Sequence, residues 1–291
     1  MPTVSIYITT KNRPQLLERA ILSVVRQSYQ DIEVLVVDDG SDCDNQSIID
    51  RVQQQTNVPV RYFRNEVSKG ACYSRNLAID AAKGQFVTGL DDDDEFVVNR
   101  IEVLLKSYDN KYAFVAANDN LILVNGKITH TQRLRLIKAD TLLDAGENLI
   151  GNQVFTEKAR WQAIGGFDVQ FPAFQDFDTF YRLIRQFGPG LIIPDRLQNI
   201  YRNDTVIKIT TLKNQLKGLS SFYKKHKADM NSRQRKRFIL RYRLIKAKLL
   251  GAKGSKVSML DIVFCSGLHS LKANLIMYIK SYLKPPKPAL Q

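Results

Sequence analysis

Apolar runs in the first part of the chain are short, almost unbroken and bounded by polar or glycine residues, and stretches of helical spacing separate them. Val4–Thr9 and Ile32–Val37 read as strands, with a helix over Arg13–Gln27 whose Leu16, Leu17, Ala20, Ile21 and Val24 fall on one face. Val58–Phe63 predicts a third strand, Ala71–Ala82 a helix, and Phe86–Leu90 a further strand. A strand that is apolar at nearly every position must be covered on both faces. Strands of this kind alternating with helices predict a mainly parallel sheet flanked by helices, an α/β architecture. Polar residues then gather at the carboxyl ends of the strands, where open sheets bind their ligands.

Further along, the pattern predicts a helix over Glu95–Ser107, a strand over Tyr112–Ala117, and a hairpin of Leu121–Val124 and Lys127–Arg133 turning on Asn125-Gly126. Gln153–Thr156 reads as a return to the sheet, and Glu157–Ile164 as a helix. Asp176–Phe187 is an amphipathic helix stopped by Gly188-Pro189-Gly190, and Leu191–Tyr201 is a last strand. The α/β domain is expected to run from residue 1 to 210. From 211 to 291 a basic helical extension follows, in which Phe238, Tyr242, Ile245 and Leu249 form an apolar stripe flanked by Arg237, Arg241, Arg243, Lys246 and Lys248. Val257–Leu283 is apolar but carries Asp261, Lys272 and Lys280. Its longest uncharged run is about half of what spanning a bilayer requires, so it reads as interfacial or packed. Lys284–Pro288 reads as a frayed end.

Charge changes this picture. The net charge is +14, but from Thr205 onward 20 Lys and Arg face 2 acidic residues, so the preceding part of the chain is slightly acidic. The three cysteines, Cys43, Cys72 and Cys265, show no disulfide or metal-ligand spacing, and no amino-terminal stretch resembles a signal peptide. A cytoplasmic protein is expected.

The strand at Phe86–Leu90 delivers four consecutive aspartates, Asp91 to Asp94. Crowded carboxylates repel one another and resist burial, so such a cluster is either a cation site or a solvated, helix-capping loop. Five other motifs accompany it: Val4–Arg13, Val36–Ser41, Gly70–Asn76, Gly165–Asp168 and Gln175–Asp178. In this order and spacing the six resemble the family 2 nucleotide-sugar glycosyltransferases, over roughly the first two thirds of the chain. Thr88–Glu95 and Ile150–Thr156 further resemble the transferases of colanic-acid-type exopolysaccharide assembly.

The resemblance implies a GT-A, Rossmann-like fold, with residues 1–110 as the nucleotide-binding half and 111–210 as the acceptor half. It also implies metal-dependent, inverting transfer of a sugar from a nucleotide sugar, UDP above others, to a saccharide acceptor. Asp93 is then the ligand of Mn2+ or Mg2+, while Asp91 and Asp92 serve the ribose or metal-bound water in an order left open. Asp39 accepts a hydrogen bond from uracil, Thr9 and Arg13 line the base pocket, and Arg75 binds the diphosphate. Asp176 is the base, although the family's preceding Glu is Gln175 here. The histidines His130, His226 and His269 fall outside the motifs, and Asp204 stands near where some relatives carry a metal-binding histidine.

Plainer readings stand beside several of these. Asp38 and Asp39 fit a turn with a cap, Arg75 a surface ion pair, Trp161 and Phe167 core filling rather than sugar stacking, and Asp94 a cap for a helix starting near Glu95. Asp178 either organises the site or caps its helix. The basic extension fits attraction to anionic lipid on the inner face of the inner membrane, beside an acceptor on undecaprenyl diphosphate or lipopolysaccharide, or a helical bundle packed on the catalytic domain. From other classes come a nucleic-acid-binding protein, disfavoured by the lack of a stacking platform, and a nucleotidyltransferase, disfavoured by the lack of a Gly-rich, Lys-containing loop.

Overall fold

A computed structural model of the chain describes residues 2–133, 135–202 and 211–250. Along these, β1 (Val4–Thr10), α1 (Pro14–Val25), β2 (Ile32–Asp38), α2 (Gln46–Gln53), β3 (Val60–Arg64), α3 (Ala71–Ala81) and β4 (Phe86–Asp91) alternate as the pattern predicts. They are followed by β5 (Glu95–Phe96), α4 (Arg100–Ser107), β6 (Val115–Leu123), β7 (Ile128–His130), β8 (Leu136–Ile137) and α5 (Ala139–Ala145). Then come β9 (Thr156–Glu157), α6 (Lys158–Ala163), α7 (Gln175–Phe187) and β10 (Gly190–Arg202), and finally α8 (Leu212–His226) and α9 (Ser232–Leu250).

Two compact units result. The first holds Met1–Ala139, Leu149–Val169 and Thr179–Ile207. Its main sheet has the order β3-β2-β1-β4-β9, parallel except for β9, and a second sheet runs β5-β10-β6-β7 with β8 against β10. The backbones of Val115 and Phe155 exchange hydrogen bonds of 2.9 and 2.8 Å, linking the two sheets. The fold is the mixed, mainly parallel α/β architecture that the sequence implies. Val4, Ile6 and Ile8 of β1, Val34 and Val36 of β2, and Leu17, Ala20, Ile21 and Val24 of α1 form one buried cluster. Helix spacing and unbroken apolar strands therefore meet in one layer, whose burial is the main favourable term in folding.

Two predicted elements are corrected, and two were not predicted. The helix over Glu95–Ser107 begins only at Arg100, because Glu95 and Phe96 pair with Asn199 and Gln198 on β10. The return to the sheet occurs at Thr156–Glu157 rather than over Gln153–Thr156, and β8 and α5 follow segments with no periodic signal.

The second unit comprises Asp140–Asn148, Gln170–Asp178 and the chain from Lys208 on, described up to residue 250. An aromatic stack forms its centre, with Phe177 and Phe222 at 4.3 Å between ring centroids and Phe222 and Phe238 at 5.4 Å. The apolar stripe on the last helix is shifted from the predicted one. Phe238, Leu244 and Ile245 are buried, but Tyr242 is 37% and Leu249 43% exposed. A helix with two packed neighbours buries a wider and rotated face than a four-residue stripe suggests. Val257–Leu283, Lys284–Pro288 and Asp204 lie outside the described residues.

Gly89, in the middle of β4, has no room for a side chain: a Cβ would meet the Tyr7 ring and Oε1 of Gln153. Gly89→Ala is expected to cost about 1–3 kcal/mol by overpacking, read as a lower urea midpoint at unchanged m-value.

Candidate active site

Three strand ends supply the site. Parallel register sets Thr9 of β1 beside Val37 of β2 on one side and Asp91 of β4 on the other. Thr9, Asp39, Asp91 and the aspartates after it thus share one edge of the main sheet. The β1–α1 connection adds Arg13, fixed immediately before Pro14, a residue suited to the first helical turn. Helix α3, entered through Gly70 at φ +89°, adds Arg75.

Asp38 and Asp39 organise the loops that follow β2 and β3. Asp38 accepts hydrogen bonds from the Ser41 amide, Asn45 Nδ2 and Tyr62 Oη, each at 2.8 Å, which bears out its turn reading. Asp39 accepts five: Asn65 Nδ2 at 2.8 Å, the Lys69 amide at 2.8 Å and Ser74 Oγ at 3.2 Å on one oxygen, and Ser68 Oγ at 2.6 Å and the Gly70 amide at 2.9 Å on the other. Burial alone would raise its pKa, but these donors outweigh it and hold the carboxyl below the ordinary value. Gly40 makes the arrangement possible, because at φ +72° it lets Ser68 approach where a Cβ would lie 2.9 Å from the Ser68 amide. The carboxylate therefore closes the loop over Asn65–Gly70.

The four aspartates separate into distinct roles. Asp91 accepts from Arg75 Nη2 at 3.2 Å, Gln153 Nε2 at 3.0 Å and Asn152 Nδ2 at 3.3 Å. Asp92 is buried, accepting from Thr10 Oγ1 at 2.7 Å and Arg13 Nη1 at 2.9 Å, and burial pushes it up to about 6. Asp93 has the most open carboxylate, 39% exposed, with Arg13 Nη1 at 3.3 Å; burial and the Asp91 charge raise its pKa. Asp94 is not a helix cap. It is buried, accepts from Gln198 Nε2 at 2.9 Å and the Tyr201 amide at 3.4 Å, and is pushed up to about 8 by burial and then by Asp91 and Asp93. Arg100, fully buried with its guanidinium 4.5 Å from the Phe96 ring, adds attraction between its charge and those of Asp119 and Asp94.

Arg75 is buried rather than a surface residue, and its guanidinium lies 5.1 Å from the ring of Phe167. Trp161 and Phe167 stack on each other at 5.3 Å and are 1% and 2% exposed, so they fill core and present no face to a sugar. Asn76 holds the Phe167 loop by two hydrogen bonds of 2.8 Å. The sequence reading assigned no role to Thr10, Asn152, Gln153 or Arg19, which donates to the Asp93 carbonyl and lies 4.0 Å from the Tyr201 ring. Asn152 and Gln153 lie within the Ile150–Thr156 motif, which was the one signal available for them.

The carboxylates fit a hard divalent cation. Three of the four are raised in pKa, so added positive charge is favoured, and their oxygens suit Mg2+ or Mn2+. Among the described residues no three Asp, Glu, His or Cys side chains form a ready-made cage. None is required of an ion held by one or two carboxylates, substrate phosphates and water.

Asp176 and Asp178 belong to the second unit, in the first turn of α7. Asp178 is fully buried and bound by His226 Nε2 at 2.7 Å and Lys225 Nζ at 3.1 Å, so it anchors α8.

The family model of glycosyl transferase family 2 matches residues 5–187. The chain belongs to this family. It is a glycosyltransferase. A protein of Escherichia coli (strain K12) named for glycosyl transfer in colanic acid biosynthesis, WcaA, is 36% identical over 242 residues, covering 81% of this chain and 85% of its own length. The GalNAc(5)-diNAcBac-PP-undecaprenol beta-1,3-glucosyltransferase of Campylobacter jejuni is 38% identical over 40% of this chain, which spans 38% of that protein. Among solved structures, S. aureus TarS 1–349 with UDP-GlcNAc superposes with a TM-score of 0.63 at 13% identity, covering 97% of this chain and 89% of that one. A mannosyltransferase of Pyrobaculum calidifontis with GDP-Man and Mn2+ gives 0.57 at 16% identity, covering 96% and 73%. These likenesses bear out the GT-A fold.

Asp39→Asn replaces one acceptor of this loop with a donor, and is expected to cost about 1–3 kcal/mol at neutral pH. A carboxyl held below its ordinary value adds stability above about pH 3.9 that is lost as pH falls through the folded value. The gap between variant and wild type should therefore narrow in acid, measured by urea unfolding from pH 7 down to pH 3.

Proposed function

We propose that the protein transfers a hexose from a nucleotide diphosphate sugar, UDP-linked, to a saccharide acceptor in bacterial surface polysaccharide assembly, with inversion at the anomeric carbon. The observation that carries this reading is the sheet edge itself. A loop-closing Asp39, Arg13 and Arg75 each bonded to an aspartate, and carboxylates of raised pKa gather along the ends of β2, β1 and β4. The names of the E. coli and C. jejuni relatives support exopolysaccharide assembly and an acceptor on undecaprenyl diphosphate, and the UDP-GlcNAc complex of TarS supports a UDP donor.

In this mechanism Thr9 and Arg13 border the base pocket. Asp39 reaches uracil by exchanging one of its loop donors for the base N–H. Arg75 exchanges Asp91 for phosphate oxygens, a change its planar fork suits. Asp93 would hold the divalent ion and Asp91 and Asp92 would serve the ribose or metal-bound water; such an ion would neutralise charge on the departing diphosphate. Asp176 removes the proton from the acceptor hydroxyl, whose oxygen forms a bond to the anomeric carbon on the face opposite the diphosphate. The bond to the diphosphate breaks, and an α-linked donor gives a β-linked product.

The catalytic domain is proposed to occupy 1–210, with the extension 211–291 drawing the enzyme to anionic lipid on the cytoplasmic face of the membrane. No described helix is long and apolar enough to cross a bilayer. The exposed positions of α9 interleave Arg243, Lys246 and Lys248 with Ile239, Tyr242 and Leu249, a composition suited to an interface.

A panel of nucleotide sugars with Mn2+ or Mg2+, read by released nucleotide, tests the chemistry. Asp93→Asn and Asp176→Asn should each lower kcat on the best donor by about 100-fold or more, and chelation with EDTA should do the same to wild type. Full turnover in both variants would refute the assignment. For the membrane reading, replacing Arg243, Lys246 and Lys248 with Gln should reduce flotation with phosphatidylserine-containing vesicles, each charge contributing about 1 kcal/mol. Equal flotation of wild type and variant rejects it.

A further inference from the structure

A cavity of about 590 Å3 opens on the second sheet, lined by none of the site residues assigned above, and its volume lies in the range of roughly 300–1,000 Å3 usual for small-molecule sites. Asn118, Thr131, Arg133, Arg135, Ile192 and Arg196 are among its lining residues. Buried Asn118 fixes the walls. Its Nδ2 donates to the carbonyls of Ile193 at 3.3 Å and Pro194 at 3.4 Å, and its Oδ1 accepts from the Arg133 amide at 3.0 Å and Thr131 Oγ1 at 3.3 Å. The register shifts of β10 between Ile193 and Gln198 are thereby tied to the segment after β7.

The charges in the cavity are unequal. Arg133 is committed to the Ala117 carbonyl at 2.7 Å and to Asp119. Arg135 and Arg196 are exposed, and among the described residues neither guanidinium has a carboxylate or hydrogen-bond partner. Asp195, next along the strand, is not one of the lining residues. Both guanidiniums line one cavity, and their forked donors match phosphate oxygens. Ile192 and Pro194 give the same cavity an apolar wall.

Its place in the fold indicates which anion. A Cβ on Gly151 would lie 3.1 Å from the guanidinium carbon of Arg133, and the next two residues, Asn152 and Gln153, grip Asp91. The cavity wall therefore abuts the segment beyond β4, on the side away from β2 and the Asp39 loop. If the donor lies along the edge from β2 to β4, its sugar ends nearest this wall, and what meets that sugar is the acceptor.

We propose that this cavity is an oxyanion subsite for the acceptor, in which Arg135 and Arg196 hold the phosphate or diphosphate of a phosphorylated saccharide. The assignment rests on the glycosyl-transfer reading for its link to the acceptor, but the anion site itself does not. Either an isoprenoid-linked diphosphate or a soluble sugar phosphate would supply the group.

Full-length wild type and the Arg135→Gln/Arg196→Gln double variant are titrated calorimetrically with pyrophosphate, a hexose 1-phosphate and a prenyl diphosphate in detergent, with EDTA present to silence metal-dependent binding at the sheet edge. The double variant should bind by about tenfold less or weaker still, while its thermal melt and its UDP affinity in Mn2+ match wild type. Preferential loss for the prenyl diphosphate supports a lipid-linked source, and loss confined to pyrophosphate and the hexose phosphate supports a soluble one. Equal affinity of both proteins for every probe overturns the site. Wild type, assayed in parallel for nucleotide-sugar turnover, keeps the two ideas separate: anion binding by a wild-type protein that turns over no nucleotide sugar would retain the site and refute the transfer reading.

Discussion

Four like charges at the end of one strand are the constraint around which the first unit is arranged. Carboxylates this close cannot all be ionised in a partly buried setting unless positive charge or hydrogen-bond donors are brought to them. The chain brings both. Arg13 and Thr10 come from the end of β1, Arg75 from α3, Asn152 and Gln153 from the segment before β9, and Gln198 from β10. Each of these elements is aimed at the edge by its place in the sheet, and the cluster in turn ties their ends together. Even so, Asp92, Asp93 and Asp94 remain raised in pKa, which leaves the edge poised to accept a cation.

That arrangement depends on β1 being the middle strand. Flanked by β2 and β4 in parallel register, it sets Asp38, Thr10 and Asp91 within neighbouring positions of one edge. The buried cluster of Val4, Ile6, Ile8 and α1 keeps this register, because a slip by one residue would turn the apolar side chains to the wrong face. Stability and chemistry are coupled through the same few residues. Tyr7, for example, packs against Gly89 and donates to Gln153, which donates to Asp91.

Buried carboxylates occur in both compact units but are answered from different places. In the first, buried carboxylates are answered by side chains along one sheet edge. In the second, Asp178 is wholly buried and answered by Lys225 and His226 of α8, while Phe177, Phe222 and Phe238 supply the apolar centre. Removing one partner of so buried a pair is far more costly than the pair is favourable, so its role is to fix where α8 docks against the start of α7. On α9, Arg243, Lys246 and Lys248 are exposed, while Arg237 and Arg241 pair with Asp144 and Glu147.

Much of this was legible in the residues. Unbroken apolar runs and helical spacing specify a parallel sheet between helices, and six motifs in order specify the family, since such patterns depend on local spacing alone. The fate of individual side chains was not legible. Glu95 and Phe96 became a strand because β10, a hundred residues later, offers them a partner; Asp94 became a buried acceptor for the same reason. Trp161 and Phe167 became core, Asp39 a loop clasp with five donors, and Arg135 and Arg196 two exposed charges lining one cavity. Spacing along the chain determines which elements form and which face is apolar. Only the tertiary structure decides which donor meets which acceptor, because those pairings are made across strands and loops that are distant in sequence.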